Sequence, residues 1–217
     1  MHQPCRPLLV AIALGSLLLL PGHGPAADKD SGPSMEESAA SPAWLFGSGQ
    51  QEVAIAVGYA IHLPIRGRPE EIEDTQFVFL APRWGIGISD SLGGDAWYRG
   101  NVELLGEGQF LFETEPNKGF AGGFALLFRY NFLPNGKIIP FVQAGAGVLG
   151  VDFDVEGQRD GFNFSVQAGI GFHYFVAKRT ALTGEWRWHH VSNAFTRKPN
   201  SGVDSSVFII GASFFLK

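Results

Sequence analysis

His190 and Ser192 stand two residues apart in the stretch Glu185-Trp-Arg-Trp-His-His-Val-Ser-Asn-Ala194. On a β-strand, side chains at i and i+2 project from one face, so a base and a nucleophile would look the same way. Trp186 and Trp188 share that face, while Glu185, Arg187 and His189 take the other. Ester hydrolysis by a serine needs a base within hydrogen-bond reach and a third group that holds the imidazole. Strand rise separates His190 from Ser192 by roughly 7 Å, a gap that side chains bending at a strand end can close. Asp204 lies across an eleven-residue loop, at the start of the next strand pattern. A hairpin register that sets Ser192 opposite Asp204 brings this acid beside His190. His-x-Ser alone is a common pattern, and an interfacial histidine before a loop-opening serine accounts for it without chemistry. A nucleophile on an apolar face, where a strand runs out into a polar loop, suits an enzyme that works on lipid.

The elements that must position these residues alternate with a period of two. Val53, Ile55, Val57, Tyr59 and Ile61 alternate with small or polar residues, and Phe162, Phe164, Val166, Ala168, Ile170, Phe172 and Tyr174 do so most cleanly. Eight such segments follow one another between Gln51 and Leu216. In each, one face is large and apolar and the other small, polar or charged. A soluble sandwich would expose that second face, where many glycines and few lysines make a poor solvated surface. A small transmembrane barrel reverses the arrangement, with apolar residues toward lipid and a lumen packed with polar and small side chains. Segments of about 10–14 residues suit tilted strands, of which 9–11 residues cross the hydrocarbon. The expected fold is all-β, an eight-stranded antiparallel transmembrane β-barrel. Its short turns are Ser89–Ala96, Leu133–Gly136 and Ala177–Arg179; the longer, more polar loops, including Asn193–Val203, face outward if the N-terminus is periplasmic.

Composition agrees. Arg6, the apolar run Leu8–Leu20 and the small residues of Pro21–Ala27 read as a secretory signal peptide over residues 1–27. Residues 28–48, rich in Ser, Pro, Ala and Glu, read as a flexible leader, and residues 49–217 as the barrel. The single cysteine, Cys5, leaves with the signal, so a mature chain has no disulfide, thiol nucleophile or thiolate metal site. That chain keeps 15 basic and 21 acidic residues, a net charge of −6, and an acidic chain without a basic run is a poor partner for nucleic acid.

Trp188-His-His-Val-Ser-Asn-Ala194 followed by Lys198-Pro-Asn-Ser-Gly-Val-Asp204 resembles the C-terminal motif of the outer-membrane lipid A 3-O-deacylase family (PagL-like). The motif match covers the last two strands, and the rest of the chain is similar in architecture and length. The resemblance implies a bacterial outer-membrane serine esterase that removes the 3-O-linked 3-hydroxyacyl chain from lipid A of lipopolysaccharide. It needs no cofactor and no metal, and its partners are lipopolysaccharide and outer-membrane lipid. It implies Ser192 as nucleophile, His190 as general base and Asp204 as the group orienting His190. Asn200 then matches a family asparagine that stabilises the oxyanion, with Asn193 as a second candidate that otherwise shapes the loop. The family's acid is commonly Glu, and Asp204 is one methylene shorter. The oligomeric state is open, a homodimer included.

Other signals are weaker. Gly145-Ala-Gly-Val-Leu-Gly150 fits G-x-G-x-x-G but sits inside a strand pattern with no helix after it, which argues against a dinucleotide site. The charges Arg99, Glu103, Glu107, Arg129, Glu185 and Arg187 fall on the lumen face and are expected to pair there. Arg197 and Lys198 are candidates for a lipid A phosphate. The alternative to an enzyme is a non-enzymatic small barrel, an envelope anchor or adhesin, which has no need for His, Ser, Asn and Asp at these spacings.

Overall fold

The computed structural model describes residues 41–63, 75–115, 118–152 and 158–216. The segment read as a signal peptide, and the leader up to residue 40, lie outside the described residues. The period-two segments form eight antiparallel strands: β1 (Gln51–His62), β2 (Gln76–Gly87), β3 (Gly100–Glu115), β4 (Phe120–Phe132), β5 (Ile138–Asp152), β6 (Gly161–Ala177), β7 (Thr180–Ser192) and β8 (Val203–Phe215). Each pairs with its sequence neighbours, and β1 pairs with β8, which closes the barrel. No helix among the described residues is long and apolar enough to cross a membrane. Closure satisfies every ladder group between strands, so strands alone meet the requirement that lipid places on a spanning backbone.

Alternation divides the side chains as the pattern predicts. Ile55, Val57, Phe124, Phe128, Ile170 and Ile210 stand exposed on the outer face. Inside, Arg129 and Arg187 are among the largest fully buried side chains. Eight strands leave room for side chains and no open channel, and here a buried charged cluster lies beside an apolar one that includes Phe77, Phe79, Leu111 and Val207. Arg187 Nη1 lies 2.6 Å from Glu107 and its Nε 2.6 Å from Glu185. Arg83 lies 2.7 Å from Glu107 and 2.9 Å from Glu185, completing a four-membered cluster. Arg129 faces Glu52 at 3.0 Å and Glu103 at 3.5 Å, and Gln143 bridges the two groups through Arg129 and Glu185. Arg99 departs from the expectation: it sits at the short-turn end, where its guanidinium donates to the Leu133 carbonyl. Strand β3 begins only at Gly100, so Arg99 belongs to the turn before it.

Glycines let neighbouring strands and their cargo come close. A Cβ at Gly145 would stand 2.1 Å from the Leu126 carbonyl oxygen, so the G-x-G-x-x-G run is a packing feature within β5.

The end of the leader is part of the fold. The expectation placed a flexible segment up to Ser48, whereas Pro42–Leu45 forms a short 3-10 helix, with Pro at its first position and Ser41 as its N-cap. Leu45 and Phe46 are buried in a cluster with Leu133, Ile139, Phe175 and Phe215, which plugs the short-turn end of the lumen. The Phe46 ring meets Phe215 edge-on at 5.1 Å, and the Arg179 guanidinium lies over Trp44 at 4.8 Å. The chain re-enters so closely that a Cβ on Gly87 would collide with the Gly47 carbonyl. The apolar triplet Trp44-Leu-Phe46 explains the difference, because an open barrel end offers it a dry cavity.

Removing Arg187 from the lumen cluster leaves two buried carboxylates sharing Arg83 alone, and breaking a buried pair typically destabilises by about 3–5 kcal/mol. Arg187→Met should therefore lower the unfolding free energy of the barrel refolded in lipid vesicles, taken from urea titration followed by tryptophan fluorescence, by an amount in that range, with a lower urea midpoint. A midpoint equal to that of the parent would show that the cluster is not a stabilising unit.

Candidate active site

Strands β7 and β8 hold the site at the long-loop end of the barrel. Their register sets His190 directly opposite Asp204 and Val191 opposite Val203. The expected register, with Ser192 opposite Asp204, is thus shifted by two residues. The ladder runs to Val203, the first residue of β8, and the acid lands directly across from the base. Directly opposite residues share a face, so His190 and Asp204 both belong to the outer side.

His190 Nδ1 stands 2.9 Å from Asp204 Oδ1. A carboxylate oxygen accepts, so the imidazole donates through Nδ1 and its accepting nitrogen is Nε2. The Trp188 indole Nε1 donates to the same oxygen at 3.0 Å. Its ring lies nearly parallel to the imidazole, with centroids 5.9 Å apart. Asp204 is 1% exposed and His190 21%, so the acid is hidden beneath the base and the indole. Sequence reasoning placed Trp188 on this face and missed its bond to the acid. The i, i+2 spacing of Trp188 and His190 was the available signal.

Ser192 is the final residue of β7, half-buried, and pairs with Phe164 of β6. It sits one pleat beyond His190 on the same face, and no hydrogen bond joins the two side chains among the described residues. The chain then turns sharply. Asn193 O accepts from Thr196 N at 3.1 Å and from Thr196 Oγ1 at 2.7 Å. The two residues between, Ala194 (φ 52°) and Phe195 (φ 60°), adopt left-handed backbone. For residues with a Cβ this costs roughly 1–2 kcal/mol each, and the surrounding bonds must hold it.

Asn193 is buried and supplies those bonds. Its N–H donates to Asn200 Oδ1 at 2.8 Å, and its Nδ2 to the Pro199 carbonyl at 3.3 Å. Of the two candidate oxyanion donors, Asn193 is therefore engaged in shaping the loop. Asn200 is anchored through its oxygen by the N–H of Asn193, the residue after Ser192, and among the described residues its amide Nδ2 donates no hydrogen bond. Arg197 donates to the carbonyls of Asp160 and Phe162, at 2.9 and 3.2 Å, and so ties the loop to the start of β6. Gln158, just before β6, also holds this loop; alternation carries no signal for it because it lies outside a strand. It accepts from Gly202 N at 2.9 Å and donates to Asn163 Oδ1 at 2.7 Å.

Below the His190 row lies a groove of about 590 Å³ on the outer face. The paired row Trp188, Ala168, Ala144 and Phe128 crosses β7, β6, β5 and β4. Its two alanines form the floor, while Trp186 and Ile170 form a wall on the side away from the loops. The site thus joins a buried acid, an oriented imidazole and a serine at the rim with an apolar trough leading away from them.

Known proteins share the barrel and the family of this chain. The family model "Lipid A 3-O-deacylase (PagL)" matches residues 69–213, from before β2 into β8 and across both strands of the site. Among solved structures, the outer-membrane enzyme PagL is similar at 22% identity with a TM-score of 0.52, covering 74% of this chain and 97% of its own. Neisserial surface protein A is similar at 13% identity and a TM-score of 0.51, covering 76% and 96%. At these identities both show the barrel fold alone. No curated protein sequence matches. With the family match spanning the greater part of the barrel, the chain belongs to the lipid A 3-O-deacylase (PagL) family of the bacterial outer membrane.

Proposed function

We propose that the protein is a serine esterase that hydrolyses the 3-O-linked 3-hydroxyacyl ester of lipid A in the outer leaflet. The observation that carries this reading is the His190–Asp204 hydrogen bond, formed across two paired strands on an outward, lipid-side face beside Ser192. Ser192 Oγ attacks the ester carbonyl carbon while His190 Nε2 takes its proton. Negative charge develops on the carbonyl oxygen, and the Asn200 amide donates to it. The intermediate collapses, the sugar 3-oxygen leaves with the proton from His190, and the acyl group stays on Ser192. Water, activated by His190, then releases the 3-hydroxy fatty acid and restores the serine. A rotation of the Ser192 and His190 side chains makes the missing contact, and catalytic hydrogen bonds commonly tighten only once substrate is bound.

Each neighbour has a part in this scheme. Asp204 fixes the imidazole with Nε2 toward the rim, and Trp188 fixes Asp204. The shorter acid reaches because His190 and Asp204 sit directly opposite each other, where strand side chains are closest. The acyl chain being cleaved lies in the groove floored by Ala168 and Ala144, apolar surface that the membrane already covers with hydrocarbon.

Purified protein in detergent, incubated with hexa-acylated lipid A and read by mass spectrometry, should release one 3-hydroxy fatty acid. Ser192→Ala should release none, and Asp204→Ala should be slower by two or more orders of magnitude, the scale of losing a triad's orienting acid. No release by the parent would leave a non-enzymatic barrel, an anchor or adhesin. Trp188→Phe keeps the ring and removes the indole N–H. It should lower kcat roughly tenfold, the equivalent of one hydrogen bond to a charged group. An unchanged kcat would show that the indole merely packs. Ala168→Phe fills the groove away from the reacting atoms and should raise KM several-fold with kcat nearly kept. Unaltered kinetics would place the acyl chain elsewhere.

A further inference from the structure

The β7–β8 loop carries Asn200 outside the strand ladder. His190 and Asp204 are held opposite each other by the β7–β8 pairing, whereas Asn200 lies four residues before the acid, beyond the last paired position. Its amide oxygen accepts from the Asn193 N–H, but the loop segment that carries Asn200 must also be held. Gln158 stands where it can. Its backbone forms an isolated antiparallel bridge with Asn200, and the next residue, Arg159, donates from its N–H to the Pro199 carbonyl at 3.3 Å. The Gln158 side chain is 5% exposed, and both ends of its amide are used. Oε1 accepts from the Gly202 N–H, two residues past Asn200. Nε2 donates to Asn163 Oδ1, and Asn163 is itself anchored by bonds from its Nδ2 to the Arg159 and Gly161 carbonyls. Gln158 thereby joins Arg197 and the Arg159 N–H in binding the loop to the start of β6.

We infer that Gln158 is a positioning residue for the deacylation, holding the β7–β8 loop so that the Asn200 amide meets the developing oxyanion. The inference rests on the proposed esterase reading, and on Asn200 as its oxyanion donor. A glutamine fits this post because it must accept and donate at once. A carboxylate at 158 accepts from Gly202 but has no proton for Asn163, and an apolar side chain removes both of these bonds. Oxyanion stabilisation arises only in the transition state. Loss of positioning therefore appears in kcat, whereas lipid bound along Trp186, Trp188 and the groove feels little change.

The test is steady-state deacylation of hexa-acylated lipid A by the full chain, with folding checked by the heat-dependent gel mobility of the barrel. Gln158→Leu should lower kcat at least tenfold with KM within about twofold of the parent. Gln158→Glu, which keeps the bond to Gly202, should recover part of that loss. In an Asn200→Ala background, Gln158→Leu should add less than a twofold further loss, because two residues acting through one donor are not additive. Parent-like kcat in Gln158→Leu would overturn the inference, as would losses that multiply in the double variant. If Gln158→Leu does not fold, Gln158→Glu with and without Asn200→Ala decides the same question by the same non-additivity. An inactive parent removes the esterase reading itself. An active parent, an inactive Ser192→Ala and an indifferent Gln158 remove only the positioning role.

Discussion

A carboxylate on the hydrocarbon side of a membrane barrel persists only where donors surround it. Polar groups in that setting cost free energy unless hydrogen-bonded, and isolated charges cost far more. Asp204 meets the requirement with two donors on one oxygen, the imidazole of His190 and the indole of Trp188. The indole has a further use, since its ring lies nearly parallel to the imidazole and covers the acid. Orientation of the base and protection of the acid are therefore one arrangement. It follows from three outward residues, Trp188, His190 and Asp204, on two paired strands.

The same constraint explains where the site lies. A serine deep in the hydrocarbon would have no water for the second half of an ester hydrolysis, and one in a long loop would lose its alignment with the base. The last residue of a strand satisfies both conditions. Ser192 inherits the direction of β7, and the loop beginning at Asn193 opens to water. That loop contains left-handed backbone at Ala194 and Phe195. The bonds of Asn193, Arg197 and Gln158 oppose its relaxation. Beneath it the lumen is packed with paired Arg and Glu side chains and closed at the other end by Leu45 and Phe46. The barrel wall under the site is thus supported from inside, which keeps a site on a thin wall from deforming.

Much of this was legible in the residues because alternation is a direct consequence of the strand. Phe162 to Tyr174 could only be a two-faced strand, and the small, polar opposite face could only be a packed lumen once a solvated surface was excluded. His190 and Ser192 shared a face for the same reason. The end of the leader, from Pro42, was misread because composition reports average solubility. The triplet Trp44-Leu-Phe46 is short, and its burial depends on a cavity that exists only after the barrel closes. Arg99 was assigned to the lumen because alternation was extended past the turn where the strand in fact begins.

The sequence by itself determined the number of strands, their two faces, and the identity of the residues at the outer end of β7 and the start of β8. These depend on local geometry, the two-residue period, which each segment carries alone. Only the tertiary structure decided the register between β7 and β8, and hence that Asp204 faces His190 and not Ser192. It also decided that Trp188 bonds the acid, that Asn193 bonds within the loop to Asn200 and Pro199, and that Gln158 reaches across from another loop. Register and loop contacts are agreements between segments distant in sequence. Moving a strand by two residues leaves every side chain on its own face, so the pattern along one strand cannot distinguish the two pairings. Closure of the whole barrel can, because it must pair all eight strands at once.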